Sequence, residues 1–198
     1  MQITEIIRGK KGKLTIRMEG GLSFPLYEKE AAKYCLAEGK DLSDQEWNEI
    51  CTEILEKRAK RRALYILQRM ERTEYQLRQK LQENGYPEEI VQSAIEYVKS
   101  FHYVDDYRYA CTYIRYHQSE KSRLQLKMKL YERGVASDLI EEALAEEYSG
   151  EEEQLIDRLL EKKHYDAETA DQKERQKIYQ YLMRRGFRSE TIRRRMNL

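Results

Sequence analysis

The 198-residue chain is poor in the residues that punctuate β-structure and loops: it has 2 Pro and 9 Gly. A sequence so short of turn formers, with 37% charged residues, reads as helix-rich. Cysteine is scarce too. Cys35, Cys51 and Cys111 form an odd, widely spaced set without a C-x-x-C pair, which excludes a disulfide scaffold and a cysteine zinc site and fits reduced thiols. Neither a signal-like N-terminal segment nor an apolar run near the ~18 residues of a membrane span is present, so the expected location is the cytoplasm, with no membrane partner. The phosphate-cradling G-x-x-x-x-G-K-[ST], the dinucleotide G-x-G-x-x-G and the hydrolase G-x-S-x-G are all missing. His102, His117 and His164 lack metal-ligand spacing. No catalytic residue, metal or cofactor is therefore expected.

Net charge gives little away at +1, yet the charges are segregated. Lys57, Arg58, Lys60, Arg61 and Arg62 form one basic run, and Arg184, Arg185, Arg188, Arg193, Arg194 and Arg195 crowd the C-terminus. Between them, Glu141 to Glu153 is dominated by carboxylates. Such segregation allows a basic face on a near-neutral protein; the plainer reading is a set of solvated helix faces. Tyrosine supplies 16 of the aromatic residues and suits half-buried positions, because the ring packs while the hydroxyl stays wet.

One tetrapeptide, Tyr103-Val104-Asp105-Asp106, spells a signature in which polymerases hold catalytic magnesium. Its neighbours argue otherwise. Val98 and Phe101 finish one helical pattern, and Ala110, Cys111 and Ile114 start another, so Asp105 or Asp106 falls where a helix N-cap is needed. Adjacent carboxylates on a helix diverge and would not converge on one ion.

The first 26 residues carry β-rich runs around Ile6 and Ile16, broken at Gly9 to Gly12 and at Gly20-Gly21, which predicts two or three short strands joined by tight turns. A sheet that small cannot stand alone in water and must pack on the helices next in the chain. A helix is expected over 27–38, up to Gly39. A capping box, Ser43 with Glu46, then opens a helix whose Trp47, Ile50, Ile54 and Leu55 make an apolar stripe.

From about Ala59 the chain repeats itself. "LRQKLQENGYPEEIV", "LKMKLYERGVASDLI" and "IYQYLMRRGFRSETI" align on Gly85, Gly134 and Gly186, spaced 49 and 52 apart. Aliphatic residues lie eight before (Leu77, Leu126, Ile178) and four before (Leu81, Leu130, Leu182), on one helix face. An apolar residue follows each glycine (Tyr86, Val135, Phe187), and another lies six after (Val91, Ile140, Ile192). The glycine reads as a left-handed helix stop, with Ser137 and Ser189 expected to cap the next helix and Pro87 suited to a first turn. With a helix upstream of each, the pattern is three three-helix units that share faces. A longer connection, His164 to Asp171, is expected in the third.

The glycine-turn pairs also fit a stand-alone helix-turn-helix reader of duplex DNA, with "RSETIRRRM" as the reading helix and Arg193 and Arg194 toward DNA. The equivalent helices of the first two repeats are acidic, which favours a repeat core; scaffolding through repeats alone is a third reading. In order along the chain, "ALYILQRMERTEYQLRQKLQENGY", "VDDYRYACTYI" and "RQKIYQYLMRRGF" resemble the RecX family, regulators of the bacterial RecA recombinase, over residues 59–198. Two departures are Glu120-Lys121-Ser122-Arg123, where the family often has a glycine, and residues 1–56, which match only loosely. The resemblance implies an all-helical array lodged in the groove of a RecA filament on single-stranded DNA, limiting filament growth, strand exchange and ATP hydrolysis.

The expected fold is therefore mainly α: three tandem three-helix repeats (57–104, 105–150 and 151–198) in an elongated curved array, after an N-terminal segment (1–56) of β-strands and helices. The expected partners are the RecA filament and single-stranded DNA, with duplex DNA a further candidate, and the chain is expected to be a monomer. The residues expected to face DNA or filament are Lys57, Arg58, Lys60, Arg61, Arg62, Arg69, Arg72, Arg184, Arg185, Arg188 and Arg194.

Overall fold

The computed structural model describes residues 1–150 and 152–198; Glu151, the expected opening of the third repeat, lies outside the described residues. Two compact units make up the chain, Met1–Asp105 and Asp106–Leu198.

In the first unit, β1 (Ile3–Arg8), β2 (Lys13–Met18) and β3 (Ser23–Tyr27) form an antiparallel sheet in that order. Gly20 and Gly21, at φ 85° and 87°, make the second turn, a conformation that costs glycine little. Strand alternation sets the core: Leu14, Ile16 and Met18 of β2 are buried, with Leu26 and Phe24 paired opposite the first two. The helices are α1 (Glu28–Lys33), α2 (Asp44–Glu49), α3 (Lys57–Arg69), α4 (Glu74–Glu83) and α5 (Glu88–Ser100). Strand residues and Leu77, Leu81, Val91 and Ile95 belong to one hydrophobic cluster, so the sheet and the first repeat share a core. Trp47 packs on Phe24 with ring centroids 4.9 Å apart.

Two local outcomes differ from the sequence pattern. The helix expected over 27–38 stops at Lys33, because Cys35 turns left-handed (φ 48°) and the Leu36 N–H donates back to the Ala31 carbonyl at 3.0 Å. The run from Asp44 to Arg69 is continuously helical, with wider π turns over Ile50–Glu56. Those turns place Ile50 and Leu55, five residues apart, both fully in the core. The expected capping box is present: the Glu46 N–H donates to Ser43 Oγ at 3.3 Å and the Ser43 N–H to the Glu46 carboxylate at 3.0 Å.

The second unit contains α6 (Asp106–His117), α7 (Arg123–Tyr131), α8 (Ser137–Glu147), α9 (Glu152–Lys162), α10 (Gln172–Arg184) and α11 (Ser189–Met196). α6–α8 and α9–α11 each surround a hydrophobic cluster of their own. All twelve apolar positions counted from the repeat glycines are buried, and the glycines have φ of 88°, 79° and 81°. Asp106 is the first residue of α6, leaving Asp105 just ahead of it. Among the described residues no group of three or more His, Cys, Asp or Glu could hold a metal ion.

The capping pattern corrects one expectation. Ser137 and Ser189 are first residues of their helices rather than caps; the cap positions are Ala136 and Arg188, with Pro87 in the first repeat. In each case the residue two after the glycine accepts the first helical bond: from Val91, Ile140 and Ile192, each at 3.0 Å. Side-chain caps stand instead at the start of the preceding helix. Thr73, Ser122 and Asp171 accept from the N–H groups of Gln76, Gln125 and Glu174. These caps are spaced 49 and 49, so the longer glycine interval reflects α10, with 13 residues against 10 and 9 in α4 and α7. Ser122 also settles where α7 starts, within the stretch Glu120 to Arg123.

Candidate nucleic-acid interface

Several of the expected cations of the first unit are already paired. Lys57 binds Glu53 at 2.5 Å and Lys60 binds Glu56 at 2.8 Å, both one turn back on the helix. The Arg58 guanidinium pairs with Glu30, donates to the Pro25 carbonyl at 3.2 Å and lies 4.9 Å from the Tyr27 ring centroid. The Lys57 pair is exposed and contributes little stability, the other two are half-buried, and all three lower the charge left for a partner. Arg61 is exposed and makes no ion pair among the described residues. Arg62 and Arg69 lie 5.4 Å and 4.7 Å from the ring centroid of the half-exposed Tyr65. The Nε atoms of Arg62 and Arg72 are buried without a hydrogen-bond partner among the described residues.

Arg58, Arg61 and Arg62 meet Lys13, Pro25, Tyr27, Asn84 and Tyr86 around a cleft of about 460 Å³. The Lys13 Nζ donates to the Asn84 carbonyl at 3.2 Å, which ties β2 to the end of α4. Burial pushes the Tyr86 phenol up, against the pull of the nearby Arg58 and Arg62. None of the residues lining this cleft is a carboxylate.

The second unit gathers more charge than its arginine run suggested. A concavity of about 670 Å³ is lined by Lys121, Arg158, Lys162, Lys163 and Arg185, with Glu120 the one carboxylate. A neighbouring one of about 560 Å³ is lined by Lys163, Lys173, Lys177 and Arg184, with Asp171 and Glu174. Both share Tyr181, and both Lys163 and Arg185 stand 5.0 Å from the centroid of its ring. Eight cations thus line a continuous tract against three carboxylates. Arg188 lines a separate concavity with Arg123 and Lys127. Arg194 is ion-paired with Glu153, and Arg195 with Asp157, which ties α11 to α9, while Arg193 is exposed and makes no ion pair among the described residues. Arg184 and Arg188 make no ion pair among the described residues.

Lys121, Arg158, Lys162, Lys163, Lys173 and Lys177 were not singled out in the sequence, because they come from two helices and a loop rather than one run. The signal is periodic: Arg158 and Lys162, and likewise Lys173 and Lys177, are four apart on one helix face. Lys13, Tyr27 and Tyr86 escaped for the same reason, being joined only by the packing of the sheet on α4.

Comparison with known proteins agrees along the whole chain. Family models described as the first, second and third three-helix domains of RecX match residues 59–97, 105–144 and 151–196. A "Regulatory protein RecX" from Caldanaerobacter subterraneus subsp. tengcongensis is 32% identical over 201 residues, covering 100% of both chains. One from Clostridium acetobutylicum is 29% identical over 92% of this chain and 88% of its own. A solved structure titled "Crystal structure of regulatory protein RecX" superposes with a TM-score of 0.68 at 26% identity, covering 100% of this chain and 99% of that one.

Proposed function

The chain belongs to the RecX family of regulatory proteins, which are regulators rather than enzymes, and on that premise we propose that it binds RecA-DNA filaments in their helical groove and limits filament extension, ATP hydrolysis and strand exchange. The observation that carries this reading is the tract around Tyr181, where eight cations face three carboxylates. Excess positive charge along a concave surface attracts a phosphate backbone and releases its counterions. Arg184 and Arg185 belong to this tract on the third repeat, Arg188 adds charge from its separate concavity, and Arg61, Arg62, Arg69 and Arg72 supply the first repeat's share. Lys57, Arg58, Lys60 and Arg194 contribute less, since each already holds a carboxylate. The stand-alone helix-turn-helix reading is disfavoured by the pairing of Arg194, one of the two arginines it turns toward DNA, with Glu153 of α9.

Co-sedimentation with RecA filaments on single-stranded DNA tests the contact. The protein is expected to pellet with filaments, and Arg184→Glu with Lys177→Glu is expected to release it at lower salt. Each single-strand phosphate lost should flatten the slope of log affinity against log salt by about 0.7. Binding of the double variant indistinguishable from the parent at every salt concentration would remove the tract from the interface.

A further inference from the structure

The cleft between the sheet and the first repeat includes Arg61 and Arg62 of the proposed filament contact, so the inference drawn from it rests on that reading, but its chemistry differs from that of the tract around Tyr181. Lys13, Arg58, Arg61 and Arg62 bring four cations to its walls with no carboxylate among the lining residues. Arg58 has its charge matched, by Glu30. Lys13 is held by a neutral carbonyl, Arg61 is exposed and unpaired among the described residues, and Arg62 keeps a buried Nε–H with no acceptor among them. Beside these cations stand two phenol rings. Tyr86 is almost fully buried, while Tyr27 is 45% exposed with the Arg58 guanidinium over its ring. Tyr27 thus keeps part of its ring open beside the cations. At about 460 Å³ the cleft falls within the roughly 300–1,000 Å³ of small-ligand sites.

We infer that this cleft binds one nucleotide unit, its phosphate set against Lys13, Arg61 and Arg62 and its base stacked on the tyrosine side. A simple oxyanion would satisfy the guanidiniums and leave the rings unused. Base stacking on an aromatic side chain adds about 1–3 kcal/mol and tolerates any base, as a protein indifferent to sequence requires. The nucleotide unit belongs either to a free nucleotide or to a single strand passing the first repeat. Neither source depends on a filament being present.

The test is a titration of the full chain, followed by amide chemical shifts, with inorganic phosphate, thymidine monophosphate and pentathymidylate. Thymidine monophosphate is expected to shift the amides around Lys13, Arg61 and Tyr86 and to bind at least about tenfold more tightly than phosphate, as one stacked base implies. Arg61→Glu, at an exposed and unpaired position, should weaken it about tenfold, the equivalent of one charge-assisted hydrogen bond. Lys129→Gln, in the other unit and outside both the cleft and the Tyr181 tract, should leave it unchanged. Tighter binding of pentathymidylate assigns the cleft to a strand, and equal binding assigns it to a free nucleotide. Equal affinity for phosphate and nucleotide, no shifts at these amides, or an Arg61→Glu variant that binds normally overturns the inference. Because RecA is absent from this titration, its failure removes the nucleotide from the cleft, whereas the filament contact through the Tyr181 tract is judged separately by co-sedimentation of the Arg184→Glu, Lys177→Glu variant.

Discussion

Replacing Ser122 by Ala should cost far more than the same change at Ser137, although both serines stand at helix starts in the same repeat. Ser122 is fully buried and makes two different bonds. Its Oγ accepts from the Gln125 N–H at 3.2 Å, capping α7, and donates to the Arg185 carbonyl at 2.5 Å, where α10 ends. Loss of the cap alone costs about 1 kcal/mol. Leaving the Arg185 carbonyl without its donor adds about 1 kcal/mol more. The sum, about 2 kcal/mol, should lower the melting temperature of the second unit by about 10 °C, given roughly 4–8 °C per kcal/mol for a unit of this size. Ser137 is exposed and makes no capping bond, so its replacement should stay within about 0.5 kcal/mol. Calorimetry of the two variants, with hydrogen exchange at the Gln125 amide, measures both effects. Equal losses in the two, or an unprotected Gln125 amide in the parent, would refute the assignment of Ser122 as cap and repeat link.

Other perturbations bear on separate links. Gly134→Val should cost at least about 1 kcal/mol in thermal melts, since φ of 79° strains a β-branched residue. Gly186→Ala should lose about 1–3 kcal/mol, because an added Cβ would come within 2.8 Å of Leu124; Leu124→Ala should recover part of this in a double-mutant cycle. The Glu46 carboxyl is held down at about 2 by the Lys40 ammonium and by both bonds to Ser43, against an ordinary value of 4.5. A depressed carboxyl stabilises the fold fully above pH 4.5 and loses that effect as the pH falls through about 2. The urea midpoints of the parent and Glu46→Gln should therefore differ most near neutrality and converge in acid.

The repeats were legible because their code is local. A glycine at a left-handed stop and apolar residues at −8, −4, +1 and +6 fix a helix, a turn and the next helix within one stretch of chain, and all twelve apolar positions are buried. The start of each following helix was less legible, because the serine three after two of the glycines matches a cap in type while the backbone already begins its helix there. The early end of α1 at Lys33 was missed because Cys35 takes a left-handed conformation usually given to glycine. For the interface, the arginine runs located two charged regions but not the pairing inside them. Glu30, Glu53, Glu56 and Glu153 neutralise four of the expected cations through contacts of which two span 28 and 41 residues of sequence. The lysines of α9 and α10 surround Tyr181 only once the helices are packed.

The central claim, that this chain restrains RecA filaments, is tested most directly by adding it to preformed filaments on single-stranded DNA and following ATP hydrolysis. A rate that falls with added protein, and falls less with the Arg184→Glu, Lys177→Glu variant, is the expected result. An unchanged rate at several-fold excess of protein over RecA would contradict the account.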